Sequence, residues 1–226
     1  MPILDQWDLE LSVDDILRAQ GGDPTVMKAR SPQLAQLAEQ ALAEGSGYIH
    51  PRVKYQIYTL EGVLHNKLNL SEGGHISGSL VVEHLAAAEQ ITVIVCTVGS
   101  RLEVHAAHFM TSNPSYGLAL NSLGSAAVEA LGNAVCYYFD GQALHNGHKT
   151  TAPINPGMEG WSLKKGQKQI QDLLDLTQVG VHMNPSGMMR PIKSLTMVIG
   201  MGPAVTKTGS PCDYCSSRDR CHYRSD

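Results

Sequence analysis

Apolar residues recur at helical spacing in "SPQLAQLAEQALAEG" (31–45), where Leu34, Leu37, Ala38, Ala41 and Leu42 fall along one face. Ser31 stands as N-cap, Pro32 takes the first helical position and Gly45 closes the segment, so both helix ends are marked. Upstream, "WDLELSVDDILRAQ" (7–20) predicts an extended lead-in and then a short helix. Ser12 would cap it, with Asp14 and Asp15 in the first turn, where the helix dipole favours acids. "GGDP" (21–24) is predicted to break that helix.

The period then changes. "PRVKYQIYTL" (51–60) sets Val53, Tyr55 and Ile57 against polar neighbours, a strand with one face on a core. "LSEGGHISGS" (70–79) reads as a polar, Gly-rich loop, "EHLAAAEQ" as a short helix, and the β-branched run "ITVIVCTVG" (91–99) as a buried strand. Two helical patterns follow, near 100–111 and 116–138, separated at "TSNPS". The second is rich in Ala and Gly, which allow close approach of a neighbouring backbone or a ligand. A Pro/Gly-punctuated stretch (150–161), an amphipathic helix near 164–176, a loop or short strand in "GVHMNPSGMMRP" and a strand at 193–202 complete the chain. Helices and strands mix without a βαβα rhythm, which predicts an α+β fold with an antiparallel sheet.

Composition narrows the function. The 226 residues carry a formal net charge of −4 with scattered Lys and Arg, so no basic footprint for nucleic acid is present. No stretch approaches the ~20 apolar residues of a membrane span. The acidic start "MPILDQWDLELSVDD" lacks the layout of a signal peptide, and the expected location is cytoplasmic.

Three of the five cysteines, Cys212, Cys215 and Cys221, fall near the C-terminus at C-x2-C-x5-C spacing. In a reducing compartment such spacing points to a metal or cluster before a disulfide, because C-x2-C offers two thiolates from one turn. Residues 209–226 are therefore expected to be a Cys-rich iron–sulfur or zinc tail on a domain covering 1–208. His222, Cys96, Cys136 or an outside group stands open as the fourth ligand. His105 and His108, with Glu103 nearby, lie three apart but lack an H-E-x-x-H pattern, so an exposed helix face is the reading. Glu129 is a carboxylate among small apolar residues, at the edge of a helix face or poised to meet a cation or amine. No phosphate-cradling glycine motif and no G-x-S-x-G nucleophile elbow occur.

"NSLGSAAVEALGNAV" (121–135), "INPGMEGWSLKKGQKQI" (154–170) and "GMMRPIKSLTMVIGMG" (187–202) together resemble the reactivation domain of cobalamin-dependent methionine synthase. "LSVDDILRAQGGDP" and "TVGSRLE" are similar too, so the resemblance runs along most of the chain. It implies a single C-shaped domain, with a twisted antiparallel sheet and flanking helices, and S-adenosylmethionine in a shallow groove. It further implies a role in reductive methylation of cob(II)alamin on a corrinoid-binding protein or methyltransferase. The alternative is a non-catalytic scaffold subunit for such a partner, with a structural metal tail.

Carried over by position, the resemblance assigns Glu129 to the sulfonium or α-amino group of the cofactor, and Asn121 to a place where relatives often carry Asp. Pro156 and Gly157 match the Pro-Gly of the family's Arg-x-x-Pro-Gly-Tyr loop, with Pro153 in the arginine's place and Met158 in the tyrosine's. Trp161 is left to supply an aromatic contact. Lys193 and Ser194 match the stretch leading into the last strand, and Lys193 is the residue left to meet a carboxylate.

Overall fold

The long strand β2 (Arg52–Leu64) organises the sheet, because a single extra residue bends it. Residues 52–59 pair antiparallel with β5 (Gln90–Thr97), while 60–64 pair with β3 (Lys67–Leu70) after a register shift between Leu60 and Gly62. That bulge at Glu61 curls the sheet. β1 (Ile3–Leu4), β4 (His75–Ser77), β6 (Lys149–Thr150) and β9 (Ser194–Gly202) complete it in the order β4-β3-β2-β5-β9-β6, with β1 beside β2. Every pairing is antiparallel. The computed structural model describes residues 3–206, so the tail cysteines Cys212, Cys215 and Cys221 lie outside the described residues.

Both sheet faces are covered. Ile91, Val93 and Val95 of β5 enter one core with α4 (Ser79–Leu85) and α7 (Leu163–Leu173), and Ile94 and Cys96 enter the other. That second core rests on α6 (Pro114–His145), through Leu131, Val135 and Phe139. At 32 residues this helix is about 48 Å long. Its first half continues past the sheet into a helical cluster with α1 (Val13–Ala19), α3 (Pro32–Gly45) and α5 (Arg101–Ser112). The architecture is α+β, with a curled antiparallel sheet and flanking helices, as expected.

The capping box at Ser12 and Asp15 forms as the sequence predicts. Three expectations change. "GGDP" does not simply break the chain: Asp23 caps a further helix, α2 (Pro24–Arg30), by accepting from the Thr25 and Val26 amides. α4 begins at Ser79, ahead of the expected "EHLAAAEQ". On β2, Ile57 is exposed while Lys54 and Tyr58 are buried, because the strand is covered on both faces. The Lys54 ammonium donates to Gln178 Oε1 at 2.5 Å, and Tyr58 Oη donates to the Leu173 carbonyl at 2.5 Å.

Gly166 on α7 shows how closely the outer layer sits. A Cβ there would lie 2.8 Å from Pro156 Cβ and 2.9 Å from the Trp161 ring. Gly166→Ala is expected to lower stability by about 1–3 kcal/mol through overpacking. Urea denaturation with an unchanged m-value is the check.

Candidate functional site

β5 ends in a turn, Thr97–Val98–Gly99–Ser100, that delivers the chain into α5, with Gly99 at φ +79°. The start of β9 lies against this turn: the Val98 amide donates to the Lys193 carbonyl at 3.1 Å. Ser194 Oγ lies 2.9 Å from Thr97 Oγ1 and 2.8 Å from the Pro191 carbonyl, so this hydroxyl fastens the turn that precedes β9. The Arg190–Pro191 peptide is cis.

Lys193 runs from that turn across α6. Its aliphatic stem packs on Gly124, where a Cβ would stand 3.2 Å from Lys193 Cγ, and its ammonium donates to Ser125 Oγ at 2.7 Å. Asn121, Ser125 and Glu129 recur every four residues, so they form one row along α6. Burial pulls the Lys193 ammonium below the ordinary lysine range, and Glu103 opposes that pull. Glu129 opens into a cleft of about 230 Å³ between α1 and α6, shared with Glu10, Asp15, Arg18 and Asn133. Desolvation first, then the Asp15 charge, hold its carboxyl above the ordinary carboxylate range, against the pull of Arg18.

Two residues that the sequence did not assign to this site belong to it. Glu103 on α5 accepts from Arg190 Nη1 at 3.2 Å through one oxygen and from the Ile192 amide at 2.9 Å through the other. Arg190 lies on β8 (Met189–Arg190), which pairs with β7 (His182–Met183) in a hairpin. The hairpin bridges both layers at this end of the sheet: Gly187 lies against Lys164 and Gln167 of α7, while Arg190 reaches α5.

The remaining expected site residues lie on the opposite face of the sheet. The chain runs along β9 through the Ile154–Val198 bridge, then forms a turn in which the Gly157 amide donates to the Trp161 carbonyl at 2.8 Å. Gly157 is exposed at φ +103°, and Pro156 packs on α7. Trp161 is 1% exposed, and its Nε1 donates to Gln169 Oε1 at 3.1 Å, whose amide nitrogen donates to Ser77 Oγ. Trp161 is thus a core side chain here, where the resemblance left it to supply an aromatic contact to the cofactor.

Among the described residues, no group of three or more His, Cys, Asp or Glu could hold a metal ion. Cys96 is fully buried in the core beneath α6, and burial raises its thiol far above the ordinary value, which makes it a poor ligand for the tail. Cys136 is half-buried, with Sγ 3.9 Å from Met197 Sδ. His105 stacks on Tyr48 at 4.2 Å between centroids, consistent with the helix-face reading. Among the described residues, no helix is long and apolar enough to cross a membrane.

No protein-family model and no curated protein matches the chain. Solved structures do. A crystal structure of the MetH reactivation domain bound to AdoHcy superposes with a TM-score of 0.68 at 12% identity, covering 95% of this chain and 83% of that one. The fold is that of the reactivation domain. The reactivation fold spans nearly the whole chain.

Proposed function

We propose that this chain is a reactivation-type module that holds S-adenosylmethionine beside a corrinoid carried by a partner, and so supports reductive methylation of cob(II)alamin. The observation that carries this reading is the reactivation fold over 95% of the chain, in a solved domain bound to AdoHcy. The residues present suit such a ligand. Its amino-acid end bears a carboxylate and an ammonium and its sulfur is cationic, and the α6 region offers Lys193 for the first and the Glu129 carboxylate for the others. When bound, S-adenosylmethionine supplies an electrophilic methyl group. The chain's own part is to bind and orient: Ser125 fixes the Lys193 ammonium, and the Thr97–Ser194 contacts fix the backbone that carries it.

Calorimetric titration of the full chain with S-adenosylmethionine tests the reading, with saturable binding expected. Absence of heat at millimolar ligand would favour the second reading, a scaffold that docks on a corrinoid protein or methyltransferase without binding the cofactor. One observation favours that alternative: Pro156 and Trp161 are packed against α7, on the sheet face opposite Lys193.

The same proposal takes 209–226 as an appendage in which Cys212, Cys215 and Cys221 bind an iron–sulfur cluster or zinc, on the strength of their spacing alone. Anaerobically purified protein is expected to contain iron or zinc that the Cys212→Ser/Cys215→Ser double variant loses. Metal-free wild-type protein would overturn this.

A further inference from the structure

The segment from the end of β8 to the start of β9 carries two cations, Arg190 and Lys193, within four residues, and one carboxylate faces both. Glu103 uses its two oxygens on the Arg190 guanidinium and the Ile192 amide. Those groups therefore already donate to a carboxylate in this structure. The Arg190 side chain is 72% exposed while that of Glu103 is 22% exposed. The guanidinium meets Glu103 through Nη1 and turns the rest of its surface to solvent, and a planar fork of this kind suits a second carboxylate. Lys193 donates to a neutral hydroxyl, that of Ser125, so its half-buried charge is solvated by a dipole and gains from an arriving anion. Two cations against one carboxylate leave a local positive excess on a chain whose formal net charge is −4.

We propose that Arg190 and Lys193 form a carboxylate subsite for the amino-acid end of an S-adenosyl ligand, with Glu103 as the resident counter-ion that positions the segment. This rests on the ligand class put forward above and extends the role expected of Lys193 to Arg190 and Glu103, which the sequence did not assign to the site. Glu103 acts as a positioning residue. Its hold on the Ile192 amide fixes the segment from which Lys193 projects, while its charge competes with the incoming carboxylate for Arg190.

Titrations with S-adenosylmethionine and with 5′-methylthioadenosine separate the amino-acid end from the adenosine, since the second compound keeps the adenosine and its 5′-sulfur, as a neutral thioether, and lacks the amino acid. The wild-type chain is expected to bind S-adenosylmethionine more tightly. Arg190→Gln should weaken S-adenosylmethionine roughly tenfold, the effect of losing a charge-assisted contact, and leave 5′-methylthioadenosine unchanged. Glu103→Gln should bind S-adenosylmethionine at least as tightly as wild type, because the amide oxygen still accepts from Ile192 while the competing charge is gone. Equal loss of both ligands in Arg190→Gln, no loss of either, or weaker S-adenosylmethionine binding in Glu103→Gln would overturn the subsite and leave the parent reading intact. Failure of the wild-type chain to bind either compound would overturn the parent reading itself.

Discussion

Replacing Trp161 by alanine is expected to lower stability by about 3–5 kcal/mol, the cost of emptying a buried aromatic site. For a domain of this size that corresponds to a drop in Tm of roughly 6–20 °C. The loss comes from three sources. The indole is 1% exposed among Ile76, Leu80 and Ile170, so its removal leaves a cavity between the sheet and α7. Its Nε1–H bond to Gln169 disappears, and Gln169 is itself buried. The turn closed by the Gly157–Trp161 bond then loses its anchor. Trp161→Phe keeps most of the apolar area and strands the Gln169 oxygen, at a cost of about 1–3 kcal/mol. Thermal and urea denaturation check both values. A loss below 1 kcal/mol for Trp161→Ala would mean that the side chain is available to a ligand after all.

Lys193→Met is expected to act more strongly on binding than on stability. Binding of S-adenosylmethionine should weaken by about 1.5–3 kcal/mol, roughly ten- to a hundredfold in Kd, through loss of a charge-assisted contact. The folded chain should not suffer equally, because burial disfavours the Lys193 ammonium. The sign follows from linkage. The lysine pKa in the folded chain lies below its ordinary 10.5, so between the two values the unfolded chain binds more protons and stability rises with pH. The penalty is fully present below the folded-state value and is relieved as pH climbs through that window. Glu103, which faces the ammonium from α5, narrows the window. Denaturation curves at several pH values up to 10.5 should show a rise for wild type and a flatter profile for Lys193→Met. Identical profiles would place the ammonium in water.

The strands were legible because β5 and β9 are apolar on both faces, and such runs tolerate few other structures. α3 and α6 were legible from their periodicity and from Pro32 and the break ahead of Pro114. α2 was hidden because the Asp23–Pro24 pair serves equally as a turn and as an N-cap with proline at N1. The alternation on β2 misled for a different reason: it assumes one wet face, and here Lys54 is buried opposite Val53, its charge solvated by Gln178 across 124 residues of chain.

The site was less legible than the fold. Lys193 and Glu129 carried a signal through the resemblance; Lys193 packs on α6 at Gly124 and Ser125, and Glu129 stands one turn further along that helix, at the cleft against α1. Glu103 and Arg190 lie in stretches that carry the resemblance but were not assigned to the site, because their pairing spans 87 residues and depends on how the hairpin crosses the end of the sheet. Trp161 illustrates the converse. The resemblance left it to supply an aromatic contact, and only the packing of Gly166 and Gln169 on α7 shows it to be core.

A crystal structure of the full chain with S-adenosylhomocysteine bears most directly on the central claim. The ligand is predicted to lie at the end of the sheet where β9 begins, with its carboxylate on Arg190 and Lys193 and its amino group toward Glu129. A ligand seated elsewhere, for instance in the cleft lined by Asp172, Asp175 and His182, or a site still empty at saturating ligand, would contradict it.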